Sequence, residues 1–123
     1  MFEAVVSMDF SAAHNLRGYK GKCEALHGHN WKVEVAVAGR RLDKTGMLED
    51  FGAIKKRLRA VLDKLDHHYL NDIAPFGTMN PTSENIARWI FEEMAPRGGG
   101  ANGSVAWVRV WETQTSSAVY RRP

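Results

Sequence analysis

The chain has 123 residues, 44% of them hydrophobic and 25% charged, and a formal net charge of +3. That length predicts one domain over residues 1–123, and the composition is that of an ordinary soluble globular chain. A single cysteine, Cys23, excludes an internal disulfide framework and points to a reducing, cytoplasmic setting, while no apolar run approaches the roughly 18–20 residues of a membrane span.

The basic residues are scattered, with clusters only at Arg40-Arg41, Lys55 to Arg59 and Arg121-Arg122. That distribution is a weak nucleic-acid signal and suits an anionic small molecule equally well. Residues 2–10 alternate, with Phe2, Ala4, Val6, Met8 and Phe10 on one face. This predicts a strand with one buried side rather than a signal peptide. Trp31, Val33, Val35 and Val37 repeat the pattern opposite Lys32 and Glu34. Residues 11–30 are expected to form a long loop, and loops of that length in a compact domain are usually functional. Residues 39–46 read as a turn region.

Phe51, Ile54, Leu58, Val61, Leu62 and Leu65 then fall on one stripe at helical spacing, with Asp50 placed as N-cap and Lys55, Lys56, Arg57 and Arg59 on the solvated face. The chain is irregular through Pro75, Gly77 and Pro81. A second helix is expected to begin at Thr82 or Ser83, with Glu84 in its first turn, and to run through Ile86, Trp89, Ile90 and Met94 before Pro96. A glycine-rich loop over residues 97–103 leads to strands at residues 105–111 and 118–121. The predicted class is α+β in the order ββααββ.

The chemistry concentrates in Cys23-Glu24-Ala25-Leu26-His27-Gly28-His29. In extended backbone, residues two apart share a face, so His27 and His29 aim their imidazoles at one point, within reach of the 2.0–2.1 Å bonds that zinc makes to nitrogen. With His14 upstream and no obvious fourth ligand, the set describes an open, catalytic Zn2+ site rather than a closed structural one. The plain alternative is a pair of strand-edge histidines. Cys23 lies among Lys20, Lys22 and the metal site, where positive charge populates a thiolate, and so is a candidate base or nucleophile. A small buried hydrophobe or a fourth zinc ligand are its other readings. Asp66 and His67 meet at a helix end, where a histidine also complements the helix C-terminus. Glu112 is in phase with Val110 and points inward, where a carboxylate needs a partner.

Seven segments run nearly the length of the chain: Phe10-Ser-Ala-Ala-His14, Cys23-x3-His27-Gly-His29-Asn30, Gly46-Met-Leu-Glu-Asp50-Phe51, Leu65-Asp66-His67, Leu70-Asn71, Asn80-Pro81-Thr82-Ser83-Glu84-Asn85 and Glu112-Thr113. In these segments and their order the chain resembles the 6-pyruvoyl-tetrahydropterin synthase and 6-carboxy-tetrahydropterin synthase family. The resemblance implies a tunnelling fold (T-fold): an antiparallel sheet with two helices, the sheets of a homo-oligomer joined into a barrel, and active sites at subunit interfaces. The three residues between Cys23 and His27 resemble the bacterial carboxy-tetrahydropterin branch. That implies 7,8-dihydroneopterin triphosphate as substrate, in queuosine and related deazapurine synthesis, with no nucleic-acid or membrane partner.

The resemblance also implies roles for single residues. Cys23 is the base, exchanging its proton with His67, which Asp66 orients; His68 is the second choice for that role. Glu112 faces the two donors of the pterin's guanidine-like edge. Thr82, Ser83 and Glu84 are candidate substrate contacts, Trp31, Trp89, Trp107 and Trp111 candidate stacking residues or core, and Arg17, Lys20 and Lys22 candidates for the triphosphate. Glu24, next to Cys23, is an alternative base: a related branch uses a glutamate at that point to release a 6-hydroxymethyl pterin for folate synthesis. The pyruvoyl reaction is a further alternative. The reading from another class is a non-catalytic, zinc-stabilised binding module.

Overall fold

Alternating apolar residues build an antiparallel sheet, and the two helical stripes cover one of its faces. The computed structural model describes residues 1–18, 25–95 and 103–123. Strands β1 (Phe2–His14), β2 (His27–Gly39), β3 (Ser104–Trp111) and β4 (Ser117–Arg121) lie in the order β1-β2-β3-β4. Helices α1 (Phe51–Leu62) and α2 (Ser83–Met94) stand between β2 and β3 in the chain. The α+β class and the ββααββ order match the expectation. No helix among the described residues is long and apolar enough to cross a membrane.

The β1–β2 ladder is regular over its whole length, from Phe2↔Gly39 through Phe10↔Trp31 to His14↔His27. Residues 11–14 and 27–30, expected in a loop, are therefore strand. Ser11, Ala12, Ala13, Gly28 and Asn30 have low β propensity, but each is paired across the ladder, and pairing outweighs propensity here. The connection shrinks to residues 15–26. The expected glycine-rich loop lies outside the described residues except for Gly103. A Cβ on Gly103 would stand 2.7 Å from Val37 Cγ1 and 3.0 Å from the Ala38 carbonyl oxygen, beside the register shift between Ala36 and Val37, so only glycine fits there.

Both helices are capped as their sequences suggest. Asp50 accepts from the Ala53 amide, and Thr82 Oγ1 accepts from the Asn85 amide at 3.1 Å. Helix α1 ends at Leu62 rather than Leu65, because the chain tightens to i→i+3 bonds: the Lys64 amide donates to the Val61 carbonyl and Leu65 to Leu62. Leu65 still seals the core.

Ile54, Leu58, Val61 and Leu62 of α1, and Ile86, Ile90, Phe91 and Met94 of α2, are buried with the inward residues Val6, Phe10, Trp31, Val33, Val35, Val108 and Val110 of the sheet. The opposite sheet face carries a polar lattice. Trp107 and Trp111 donate their indole N–H groups to Glu3 at 3.2 Å and Glu34 at 2.5 Å, and the Arg109 guanidinium lies over both rings, 5.8 and 5.5 Å from their centroids.

Truncating Leu58 to alanine is expected to cost about 2–5 kcal/mol, the range for a buried leucine, while Lys55→Ala on the solvated face stays within about 0.5 kcal/mol. Urea unfolding of both variants at one fixed protein concentration checks the contrast; equal losses would mean that the helix does not pack through this stripe.

Candidate metal centre and its surroundings

The ladder register decides which side chains meet. His14 stands directly across from His27, and His29 is across from Ala12, one pair further along the same face. All three imidazoles therefore crowd one point. The ring centroids of His14 and His27 are 4.5 Å apart, those of His14 and His29 5.3 Å, and those of His27 and His29 4.6 Å. Trp31, fully buried, forms the floor: its ring stacks on Phe10, meets His14 and His29 edge-on, and donates its indole N–H to the Ala12 carbonyl at 3.2 Å. It is core, with no face left for a ligand.

The hydrogen bonds fix the tautomers. His14 Nδ1 lies 2.8 Å from the Pro81 carbonyl oxygen, and His27 Nδ1 2.7 Å from the Ala25 carbonyl oxygen. A carbonyl only accepts, so each Nδ1 carries a proton, which leaves Nε2 as the nitrogen available to a metal. Those two Nε2 atoms face each other at 3.0 Å. The Nε2 of His29 is buried with no hydrogen-bond partner. Burial, the largest influence on both, holds the pKa of His14 and of His29 below the ordinary histidine value of 6.5.

Neutral imidazoles with lone pairs converging, and with backbone carbonyls fixing the opposite nitrogen, are what a zinc ion requires of its ligands. The residues fit a metal. Glu112 belongs to the same cluster: one ligand atom from each of His14, His27, His29 and Glu112 lies within 4.8 Å of the others. Its carboxylate oxygens stand 3.7 Å from His14 Nε2 and 3.7 Å from His29 Nε2. Its phase with Val110 signalled the inward direction; its closeness to the histidines had no signal in the sequence.

Beside Glu112 lies a cavity of about 190 Å3 lined by Ser83, Glu84, Ser116 and Ser117, so two of the three candidate contacts at the start of α2 open onto the carboxylate. The third, Thr82, uses its hydroxyl oxygen to cap α2.

Asp66 and His67 form the other wall. The segment that follows α1 runs along the end of β1: the His67 amide donates to the Ser11 carbonyl at 2.6 Å, and Ala13 bridges Tyr69. Asp66 Oδ1 accepts the Ser11 amide at 2.9 Å and lies 3.1 Å from His67 Nδ1. The Ser11 hydrogen bond is the main reason its pKa falls below the usual aspartate value. His67 sits in the left-handed region at φ 60° and holds its ring 81% exposed. A cavity of about 530 Å3 lined by Ser11, Ala13, His29, His67, His68 and Tyr69 links it to His29. His68 turns its Nδ1 to the Asp66 carbonyl at 2.7 Å. Cys23 and Glu24, with Lys20 and Lys22, lie outside the described residues.

Three asparagines and an arginine had not been singled out for what they do here. Asn71 accepts the Asn15 amide at 3.1 Å and donates to its carbonyl at 3.0 Å. Asn80 does the same for Arg17, at 2.9 and 2.8 Å, and Asn85 donates to the Asn80 carbonyl at 2.8 Å. The Arg17 guanidinium donates to the Phe76 and Met79 carbonyls at 2.7 and 3.1 Å. These bonds use one guanidinium nitrogen of a side chain that remains exposed. The motifs Leu70-Asn71 and Asn80-Pro81 were the available signal.

The lowered pKa values set a pH dependence for the metal-free protein. Well above 6.5, His14 and His29 are neutral folded or unfolded, and contribute no slope. Below 6.5 the unfolded chain takes up protons that the folded chain refuses, so stability falls with pH until the folded-state values are passed. The melting temperature of the metal-free protein should therefore drop from about pH 7 to about pH 5. A flat profile over that interval would show that burial does not hold these rings neutral.

The sequence profile described as 6-pyruvoyl tetrahydropterin synthase matches residues 3–123. The 6-carboxy-5,6,7,8-tetrahydropterin synthase of Synechocystis sp. is 44% identical over 119 residues, covering 93% of this chain and 88% of the relative. The Haemophilus influenzae protein of that name is 33% identical, covering 98% and 99% of the two chains. Among solved structures, the Caenorhabditis elegans 6-pyruvoyl tetrahydropterin synthase superposes with a TM-score of 0.84 at 30% identity, covering 99% of this chain and 96% of its own. The four-stranded sheet with its two helices is the T-fold, and by profile, by sequence and by fold the chain belongs to the 6-pyruvoyl tetrahydropterin synthase family.

Proposed function

We propose that this protein, as one domain, is a zinc-dependent 6-carboxy-5,6,7,8-tetrahydropterin synthase. It would be a cytoplasmic lyase that converts 7,8-dihydroneopterin triphosphate to 6-carboxytetrahydropterin, acetaldehyde and triphosphate in queuosine and deazapurine synthesis. Curated relatives of that name at 33–44% identity support the reading. The observation that carries it is the convergence of three imidazoles and a carboxylate between two cavities.

In this reading His14, His27 and His29 hold the zinc, which when bound supplies a Lewis acid for the side-chain oxygens of the substrate. Glu112 accepts two hydrogen bonds from the pterin edge, with Ser83 and Glu84 beside it and Thr82 holding the helix start. The Cys23 thiolate takes the side-chain proton. His67 relays that proton, its ring steered by Asp66, which is itself fixed by the Ser11 amide. Glu24 adjoins Cys23 and favours one second reading, side-chain cleavage to a 6-hydroxymethyl pterin with Glu24 as base. The non-catalytic module has no such support: a structural zinc would be closed off from cavities, whereas His29 and Glu112 each line one.

Mass spectrometry of the products from dihydroneopterin triphosphate separates the carboxy, pyruvoyl and hydroxymethyl outcomes; the carboxy product is expected. Cys23→Ala should keep zinc and lose turnover by ~10²–10⁴-fold, the usual contribution of a general base. Turnover that survives in Cys23→Ala but not in Glu24→Gln would transfer the role to Glu24.

The oligomer follows from the sheet. Strands β1 and β4 end it on either side, and open edges invite pairing with another chain. Joining sheets edge to edge into a barrel, with active sites at the joints, would cover them. Light scattering at micromolar concentration should report an assembly of several chains, and a stable monomer would remove the interfacial site from this reading.

A further inference from the structure

We propose that Glu112 is the fourth ligand of the metal centre while the pterin site is empty, and that it leaves the metal for the pterin when substrate arrives. The ligand role stands on the geometry. The exchange rests on the pterin reading above.

The geometry is specific. Glu112 is one step past the last β2–β3 pair, Lys32↔Trp111, and keeps the inward phase of Val108 and Val110. Its own amide donates to the Ser116 carbonyl at 3.2 Å, which fixes the backbone at the β3–β4 turn. The side chain thus enters the histidine cluster from the sheet, opposite the Pro81 carbonyl that orients His14. Donors around a tetrahedral zinc with bonds of 2.0–2.1 Å lie about 3.3–3.4 Å apart. Here His14 Nε2 and His27 Nε2 are 3.0 Å apart, Glu112 Oε2 is 3.7 Å from His14 Nε2, and Glu112 Oε1 is 3.7 Å from His29 Nε2. These three values bracket the ideal, and all four ligand atoms lie within 4.8 Å of one another, so a bound ion would draw the set together.

The electrostatics point the same way. The Nε2 atoms of His14 and His27 are the nitrogens available to a metal, and His29 Nε2 is buried without a hydrogen-bond partner. A carboxylate aimed at them is the fourth group. Among the described residues no other group bonds that carboxylate. Two Nε2 atoms opposite carbonyl-bound Nδ1 groups, a buried Nε2 without a partner and a carboxylate are a donor set that a cation would stabilise.

Glu112 also lines the cavity that Ser83 and Glu84 line. A side-chain rotation carries it from the metal to that cavity, where two donors of a pterin edge replace the lost metal bond with charge-assisted hydrogen bonds. The coordination position opens only when a pterin is present to draw Glu112 away. Binding of the ring is thereby coupled to access of the side-chain oxygens to the metal.

Cobalt(II) substitution of the full-length protein tests both halves, since the visible spectrum of this ion reports its ligands. In Glu112→Gln, metal affinity measured against a chromophoric chelator should fall at least about tenfold. Its cobalt spectrum should also titrate near neutral pH, as a bound water ionises, whereas the parent spectrum stays flat. Glu112→Asp, which keeps the carboxylate on a shorter stem, should recover part of the affinity. Glu84→Gln, in the same cavity, should leave the spectrum unchanged, and circular dichroism checks that each variant folds. Pterin itself, lacking the side chain, should move the parent spectrum toward that of Glu112→Gln and leave the variant's spectrum as it was.

Parent-like affinity and spectrum in Glu112→Gln would overturn the ligand assignment. A loss of affinity with no spectral change would overturn it too, by making Glu112 an indirect influence. A parent spectrum unmoved by pterin whose binding is seen by fluorescence would overturn the exchange. None of these readouts uses turnover, so a protein inactive on dihydroneopterin triphosphate would fail the proposed function while the ligand result stood.

Discussion

The pairing of His14 with His27 across the β1–β2 ladder is the constraint on which the rest depends. Strand side chains alternate, so a slip of one residue would turn every inward group of β1 to the opposite face. The same slip would expose Phe10 and Val6 and scatter the histidines. Core and metal centre are therefore specified by one register. The apolar pairs Phe10↔Trp31 and Val6↔Val35 stabilise it, and the histidines inherit the position that those pairs dictate.

This division of labour explains why buried polar rings are tolerated at the end of the sheet. Crowding unprotonated nitrogens costs free energy, and burial adds to it by disfavouring the charged forms that would repel one another. The cost is offset by groups that hold each ring in place. Trp31 supports His14 and His29 from below, the Pro81 carbonyl fixes His14 from the start of α2, and the Ala25 carbonyl fixes His27. Each support comes from a different part of the chain. The centre is rigid because the sheet, the α2 entry and the approach to β2 are already in place.

Much of this could be read in the sequence. The alternation of residues 2–10 and 31–37 and the helical stripe from Phe51 depend on local periodicity, and the caps at Asp50 and Thr82 on local hydrogen bonds; all are present. That His27 and His29 share a face was legible for the same reason. The strand ends at residues 11–14 and 27–30 were not, because Ser11, Ala13, Gly28 and Asn30 resemble loop residues until a partner strand is supplied. Glu112 was legible as inward-facing but not as a neighbour of His14 and His29, since that depends on the register of β3 against β2, in which Trp111 pairs with Lys32. Arg17 resembled a free cation; only the fold reveals the carbonyls of Phe76 and Met79 waiting for it.

Beyond His14 the ladder ends, and side-chain amides continue its work. A carboxamide presents one acceptor and one donor, as a peptide unit does, so Asn71 and Asn80 each pair with a whole residue of the departing chain, Asn15 and Arg17, as a neighbouring strand would. Asn85 and the Tyr69 hydroxyl, which donates to Asn15 Oδ1, tie those clamps to α2 and to the segment after α1. The backbone pairing of β1 with the segment after α1 stops at Ala13 and Tyr69. Side-chain amides hold residues 15–17 beyond that point. Asn71 is buried, so removing its amide would strand the Asn15 amide and carbonyl without partners, at about 1–3 kcal/mol for each such group. Residues 15–17 are thus held by polar contacts whose loss costs as much as a truncated core residue.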